Sequence, residues 1–551
     1  MTQAVNMRGA VPHFYIRLGG DLSTDAMVNL QELTIESSLH MPDVATLILR
    51  DLTPMKEQGS AYRFTDNAGT YKVGVPMTIT IKVDNNQEQN VFDGEIVEVE
   101  PHLLQHGQQL KVRAYDRLHK LSRGTFTRTF QNVTDMDVVK KIAGELGLQA
   151  KVGPASYVHD YVIQANQSNL DFLRDRASRL GYLLYVDGTT LHCEPMEAKG
   201  DAGEVQWGTN LIEFSPRLSS LDQASGTTVR GWDPQRKRAV VSAVGKGAGT
   251  PEAQATGEED LSAPYTVTRH VVRKEKLAEL YATGTADQHR QKFLEATGVT
   301  GGHPKMTAGM SLNIAGVSDR YQGKYTLSSV THHFRTESGY TTEFTVSGGR
   351  APDIANTLQE RAKPHTEYGL VIGIVTNNDD PLGQGRVKVK FPQLSEKDES
   401  DWARVVAVGG GPARGIEWIP EVNDEVPCLF ENGDMHHTYV IGGLWNGKDA
   451  PPKPSSQVVR GGKTLQRIHQ SRLGHKIILD DSDDAPGILV QDMNGNQIKI
   501  DSKTNTLTIQ MKGDVNVNAD GKMSLNAKQG VSIEGGAGGV DIKGSTIKLN
   551  S

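Results

Sequence analysis

Four groups of residues in this 551-residue chain have side chains that could do chemistry. His332-His333 and His436-His437 are adjacent imidazole pairs, the stretch DDSDDAPG (480–487) is dense in carboxylates, and Asp93, Glu95, Glu98 and Glu100 form an acidic row. Metal binding or acid–base catalysis would be their natural work. Their spacing argues against both. Neighbours on a strand point to opposite faces, so neither histidine pair can chelate by itself, and both read as surface or core histidines. The 480–487 stretch lacks the Gly and bidentate Glu positions of an EF-hand calcium loop and reads as a solvated corner. The acidic row alternates with Ile96, Val97 and Val99 and reads as a solvated strand face. No HExxH, GxSxG or P-loop occurs, and GGAGG (535–539) opens no helix, so it reads as a tight corner rather than a phosphate cradle. Cys193 and Cys428 stand far apart without CxxC spacing and read as small buried hydrophobes. No catalytic, cofactor or metal residue is expected, and no cofactor.

The elements that would have to hold such groups are mostly short strands. Gly makes up 58 residues and aromatics only 6%, a mix that favours turn-rich β structure. A net charge of −7 without a basic stripe excludes a nucleic-acid partner. The first twenty residues carry no apolar signal region, and no run of about 18 apolar residues occurs, so the chain is expected to be made in the cytoplasm and to span no membrane.

Residues 1–125 alternate as strands (FYIRL, ATLILRDL, MTITIKV, LKVRAYD), with NN at 85–86 and HG at 106–107 as turns. Within 126–200 the period changes. DMDVVKKIAGELG (135–147) and NLDFLRDRASRLG (169–181) read as helices, the second capped by Ser168 and stopped by Gly181, before a hairpin around Asp187-Gly188. Strands return over 201–350, broken by an aperiodic stretch at 243–264, expected to be a mobile loop, and by a helix near 274–295. A linker (351–367), a five-strand barrel of the OB type (368–450) and a Pro-rich connector (451–475) follow.

Over 476–551 the texture is uniform. Apolar pairs flank one residue at Ile477/Leu479, Ile488/Val490, Ile498/Ile500, Leu507/Ile509, Val515/Val517, Met523/Leu525, Val531/Ile533, Val540/Ile542 and Ile547/Leu549, in steps that tighten from 11 to about 8 residues. An octad supplies one strand and one corner, which is one side of a triangle, so three chains wound together are needed to close it. Leu507, Ile509, Val515, Val517, Met523, Leu525, Val531, Ile533, Val540, Ile542, Ile547 and Leu549 are then the needle interior, with Asn516, Ser524 and Ser532 outward. Ile478 and Leu489 are apolar at outward positions, which marks a less regular start or a contact with the barrel. A one-chain meander, with Asn494-Gly495 as a type I′ turn, explains 488–501 but not the regularity beyond 505.

GQGRVKVKFP (383–392), SDWARVVAV (400–408), EWIPEVNDEVPCLFENGD (417–434) and YVIGGLWNGKDAPP (439–452) resemble the OB core of VgrG and related contractile phage spikes. FQNVTDMDVVKKIAGELG (130–147) with QSNLDFLRDRASRLGYLLYVDG (167–188) resembles the phage late-control protein D module of the same family. Gln393 replaces the family's usual aromatic and Asn423 its usual Gly. The resemblance implies a mainly β protein: two hub β-barrels akin to the T4 tail hub, a small α/β module, an OB-fold barrel and a C-terminal intertwined triple-stranded β-helix in a homotrimer. It further implies a non-enzymatic spike that joins the inner tube of a contractile injection system to its puncturing tip. Its partners would be a hexameric inner-tube protein, baseplate proteins, a PAAR-like tip cap and cargo effectors, with the target membrane or envelope contacted on firing. No lysozyme-like insert separates barrel and needle, which resembles the spikes of phage-tail-like extracellular particles more than an unadorned type VI VgrG. The rival from another class is a carbohydrate-active β-solenoid enzyme. It would need a carboxylate pair that the outward needle positions lack. Cargo binding by the hub, through 243–264, is a third reading without a motif.

Overall fold

The structure is a computed structural model that describes residues 12–51, 70–83, 88–104, 107–154, 157–195, 198–218, 224–245, 263–268, 270–291, 293–347 and 369–548. The turns expected at 85–86 and 106, most of the loop at 243–264 and the linker 351–367 lie outside the described residues. The chain divides into two compact units, Met1–Leu444 and Trp445–Ser551.

The first unit is mainly β. One antiparallel sheet of eleven strands runs in the order Leu211–Leu218, Leu294–Gly301, Gly339–Val346, Ser329–Arg335, Leu30–Ser38, Val44–Asp51, Gly107–Tyr115, Gln89–Leu104, Pro76–Val83, Pro12–Leu18 and Asp21–Leu22. It joins both segments expected to form hub barrels, because Ser329–Arg335 pairs with Leu30–Ser38 from Ser329↔Ser38 to Arg335↔Glu32. Alternation decides which face each segment buries: Ile16, Leu33, Ile35, Leu47, Met77, Ile79, Ile81 and Val112 fill one core, and Leu294, Leu312, Ile314, Leu327 and Phe344 another.

The small module is built as its sequence dictates. Helix Asp135–Glu145 opens on a Thr134/Asp137 capping box, and helix Asn169–Leu180 is capped by Ser168, whose hydroxyl accepts the Asp171 amide at 3.0 Å. Gly181 ends the second helix at φ +72°, a conformation that a Cβ would strain. Val138, Ile142 and Leu173 are buried together with Leu191 of the hairpin Tyr182–Asp187/Thr190–Pro195. Helix Glu275–Gln291 then crosses at close range: a Cβ on Gly284 would lie 2.5 Å from the Leu180 backbone.

The OB sheet orders Lys388–Lys390, Val371–Asn377, Glu425–Glu431, Asp434–Val440 and Arg404–Val405 around Val375, Val389, Val426, Cys428 and Val440. Ile163 and Ala165 from the small module enter this core. Asn423 sits at φ +77°, so the family's glycine is replaced by the side chain that best tolerates the left-handed region.

In the second unit, Gln466–Gln470, Lys476–Asp480, Gly487–Gln491, Gln497–Asp501 and Thr506–Gln510 form an antiparallel meander. This amends the reading of 476–551 as one uniform needle. A single chain pairs with itself through the steps of 11, 10 and 9 residues, and the pairing ends at Gln510, where the step becomes 8. The Asn494-Gly495 connection is not a type I′ turn: only Gly495 has positive φ (+89°). The loop spans 492–496 instead, with the Asp492 carboxylate accepting the Asn494 and Asn496 amides at 2.9 and 2.8 Å.

Candidate assembly surface

Cross-strand register sorts the meander into two unlike faces. Ile477↔Val490, Leu479↔Ile488, Ile488↔Ile500, Val490↔Ile498, Ile498↔Ile509 and Ile500↔Leu507 align eight apolar side chains on one face. That face is exposed, each of the eight between 41 and 63%. Ile468, Ile478 and Leu489 form a row on the opposite face, where Ile478 is 5% exposed, followed by Lys499 and Thr508. The two apolar residues at supposedly outward positions therefore make their own cross-strand contact at the start of the ladder.

From 511 to 548 the same alternation continues with no strand partner in the chain. The interior positions read from the sequence are all uncovered: Leu507, Ile509, Val515, Val517, Met523, Leu525, Val531, Ile533, Val540, Ile542 and Ile547 are 52 to 67% exposed. Leu549 lies outside the described residues. Eleven regularly spaced apolar side chains in one strip far exceed the scattered exposure normal on a soluble surface. Gly535 and Gly539 close a tight corner, with the Gly539 amide donating to the Gly536 carbonyl at 3.1 Å. A Cβ on Gly535 would meet the Gly539 oxygen at 2.1 Å, so only glycine fits there.

A second apolar surface, not anticipated from the sequence, lies on the OB barrel. Val406, Val408, Ile416 and Trp418 are 55, 76, 51 and 60% exposed on an arm closed by the hairpin Gly410–Gly411/Arg414–Gly415. The signal in the sequence was VVAV followed by IEW across a Gly-rich turn.

The groups that could have been catalytic are placed elsewhere and engaged. His332 is buried, bonded through Nε2 to the Met306 carbonyl at 3.0 Å and through Nδ1 to the Tyr340 hydroxyl at 2.9 Å, while His333 on the opposite face lies 4.0 Å from Glu343. Burial pushes the His332 imidazole down to about 4. The acidic row is an ion-pair ladder rather than a bare solvated face. Asp93 pairs with Arg117 (3.1 Å), Glu98 with Arg113 (2.7 Å) and Glu100 with Lys111 (3.6 Å), while Glu95 meets Lys120, His119 and Arg123 within 3.3 Å. A bulge between Ile96 and Glu98 keeps all four on one face despite the three-residue gap. The 480–487 stretch turns the corner between two meander strands, with Asp481 paired to Arg467 at 2.6 Å. Both cysteines are free and buried, which pushes each thiol up to about 12. Among the described residues no group of three or more His, Cys, Asp or Glu is placed to hold a metal ion, and no helix is long and apolar enough to cross a membrane.

Comparison with known proteins covers both the hub and the barrel. A family model described as Alg8 N-terminal domain matches residues 10–336, and one described as type VI secretion system/phage-baseplate injector OB domain matches residues 371–445. The type VI secretion system spike protein VgrG5 of Pseudomonas aeruginosa is 24% identical over 385 residues, which cover 61% of this chain and 47% of that protein. The chain thus spans about half the length of this curated relative. Among solved structures, the half-lidded PdpA–VgrG complex of Francisella matches at a TM-score of 0.52 and 9% identity, covering 91% of this chain and 88% of that one. A lidless PdpA–VgrG complex matches at 0.51 and 8%, covering 91% and 98%.

Proposed function

The chain belongs to the Alg8 N-terminal domain family and, with its injector OB domain, to the VgrG and phage tail spike proteins; on that premise we propose that it is a homotrimeric, non-enzymatic hub and spike of a contractile injection system. The observation that carries this reading is the apolar strip. Eleven side chains that recur with an eight-residue step stand more than half exposed in a single chain. Burying each contributes about 1.5–3 kcal/mol, so the strip demands cover. Two further copies supply it symmetrically. Each chain then gives one side of a triangular prism whose interior is Val, Ile, Leu and Met and whose exterior is Asn, Ser, Asp and Lys, the triple-stranded β-helix expected from the octad. The exposed Val406, Val408, Ile416 and Trp418 leave an apolar surface on the barrel for neighbouring copies to cover.

The function is mechanical. Intertwined strands leave few free edges and resist opening one rung at a time, which suits a rigid point that concentrates contraction force on the target envelope. In this layout residues 1–125 and 201–350 seat the spike on a hexameric inner tube and the baseplate, the module 126–200 and barrel 368–450 connect hub to needle, and the C-terminal needle end, with the Gly-rich corner at 535–539 near it, binds a PAAR-like cap. Cargo effectors would be carried by this tip or hub. Only residues 451–465 separate the barrel from the meander, leaving no room for an inserted enzymatic domain. That favours an extracellular phage-tail-like particle, with a type VI spike as the alternative. The test is mass by light scattering: the full-length protein should weigh three times the 60.0 kDa chain. A monomer would overturn the reading. Truncation after Gly513 should keep the trimeric hub and barrel and abolish cap binding.

A further inference from the structure

The meander and the strip that follows it differ in how tightly they specify alignment with other copies of the chain. In the strip, moving one chain by eight residues puts Val515/Val517 where Leu507/Ile509 stood, and Met523/Leu525 where Val515/Val517 stood. The outward residues move in step, Ser524 to the place of Asn516 and Ser532 to that of Ser524. Every apolar pair again meets an apolar pair, whereas a shift of one residue would turn the interior outward. The octad therefore separates inside from outside without fixing the height of one chain against another. Attachment through residues 451–465 is a loose rule for height, since a stretch of that length can reach ~50 Å and one rung is only ~4.8 Å.

The meander has no such freedom. Its loops 481–486, 492–496 and 502–505 are unequal in length, and each is held by its own hydrogen bonds. Asp480 accepts the Ser482 amide at 2.9 Å, Asp492 the Asn496 amide at 2.8 Å and Asp501 the Thr504 amide at 3.1 Å. The exposed face is consequently two fixed rows, Ile477–Val490–Ile498–Ile509 and Leu479–Ile488–Ile500–Leu507. At one end the rows stop on a polar rim: His469 stands across from Ile477 and Arg467 across from Leu479, both exposed, with Arg467 paired to Asp481 at 2.6 Å. At the other end Leu507 and Ile509 are also the first pair of the strip, so the two apolar surfaces are continuous.

We propose, on the reading of the chain as a trimeric spike, that the meander is the register clamp of the needle. Its apolar face docks on the same face of two further copies and fixes their relative height before 511–548 wind together. Each meander completes its backbone pairing within one chain, so the face exists before any partner arrives. Three such faces meeting on one axis take the eight apolar side chains of each copy out of water. A copy displaced by one strand sets Arg467 and His469 against the apolar rows of its neighbours and strips the guanidinium of water, a cost that the octad does not impose. Another copy of this chain is the partner that fits, because the rows run without a break into the strip that the same copies cover.

The height of the chains can be measured in the full-length protein. Ser524→Cys, at a position read as outward, takes a nitroxide label, while Cys193 and Cys428 are buried. Pulsed electron spin resonance should then give one narrow distance, because three labels at one height form an equilateral triangle. In that background Ile488→Asp, within one row, should spread the distance into several, since the strip still winds but at mixed heights. Arg467→Leu/His469→Leu, which lengthens both rows by one strand, should keep the mass of a trimer and add a second distance. A single narrow distance in both variants overturns the proposal, and so do several distances without either change. Where Ile488→Asp fails to fold or to assemble, the rim variant decides alone. A monomer by light scattering before either change overturns the trimeric reading and the proposal with it, whereas a trimer whose register neither variant disturbs overturns the proposal only.

Discussion

Helix Asn169–Leu180 and the strip 507–547 place apolar side chains by the same elementary rule, a fixed period that puts them all on one side. In the helix the rule is satisfied inside one chain: Leu170, Leu173 and Ala177 are 7, 0 and 2% exposed against the module's own strands. In the strip no apolar side chain among the eleven falls below 52%. The difference lies in what each period makes available. A 3.6-residue period winds the chain so that one stripe faces a neighbouring element of the same module. An eight-residue step of one short strand and one corner advances without returning, so nothing in the chain comes back to cover it. A region can therefore be as regular as any helix and still be half a structure.

That contrast can be broken or sharpened by substitution. The largest effect is expected from Leu525→Asp, which would put three carboxylates at one level of a closed prism. Protection of 511–548 from protease should be lost while the hub and module melt unchanged, and retained protection would show that the strip is not an interior. Leu173→Ala is the mirror experiment. It should destabilise the module by about 3 kcal/mol in denaturant unfolding and leave the needle's protease resistance alone. Ser168→Ala removes a helix cap and should lower module stability by about 1 kcal/mol in the same assay. Ser524→Asn, between Met523 and Leu525 at a position read as outward, should change stability by less than ~0.5 kcal/mol. An effect of Ser524→Asn as large as that of Leu525→Asp would reverse the assignment of inside and outside.

The helices were legible in the sequence because their stop and start signals are local. Ser168, Gly181 and Asp187-Gly188 each do their work within four residues of where they stand. The OB sheet was legible through resemblance as well as pattern. The pairing of Ser329–Arg335 with Leu30–Ser38 was not, since strands about 300 residues apart carry no mutual address beyond alternation. Nor was the end of self-pairing at Gln510, because the pairs at 498/500 and 515/517 look alike and differ only in the length of what joins them. His436 and His437 were visible as types, but the Ile163 amide that bonds the first of them arrives from another module.

The strip also sets how the assembly tolerates error. In the proposed trimer each position recurs three times at one height, so a single faulty copy is sufficient to spoil it. In a cell making equal amounts of an intact chain and a Leu525→Asp chain, random mixing leaves about one trimer in eight free of the defect. The burden of quality thus falls on translation and on degradation of stray chains before winding begins, since an intact partner cannot mask what its neighbour brings into the core.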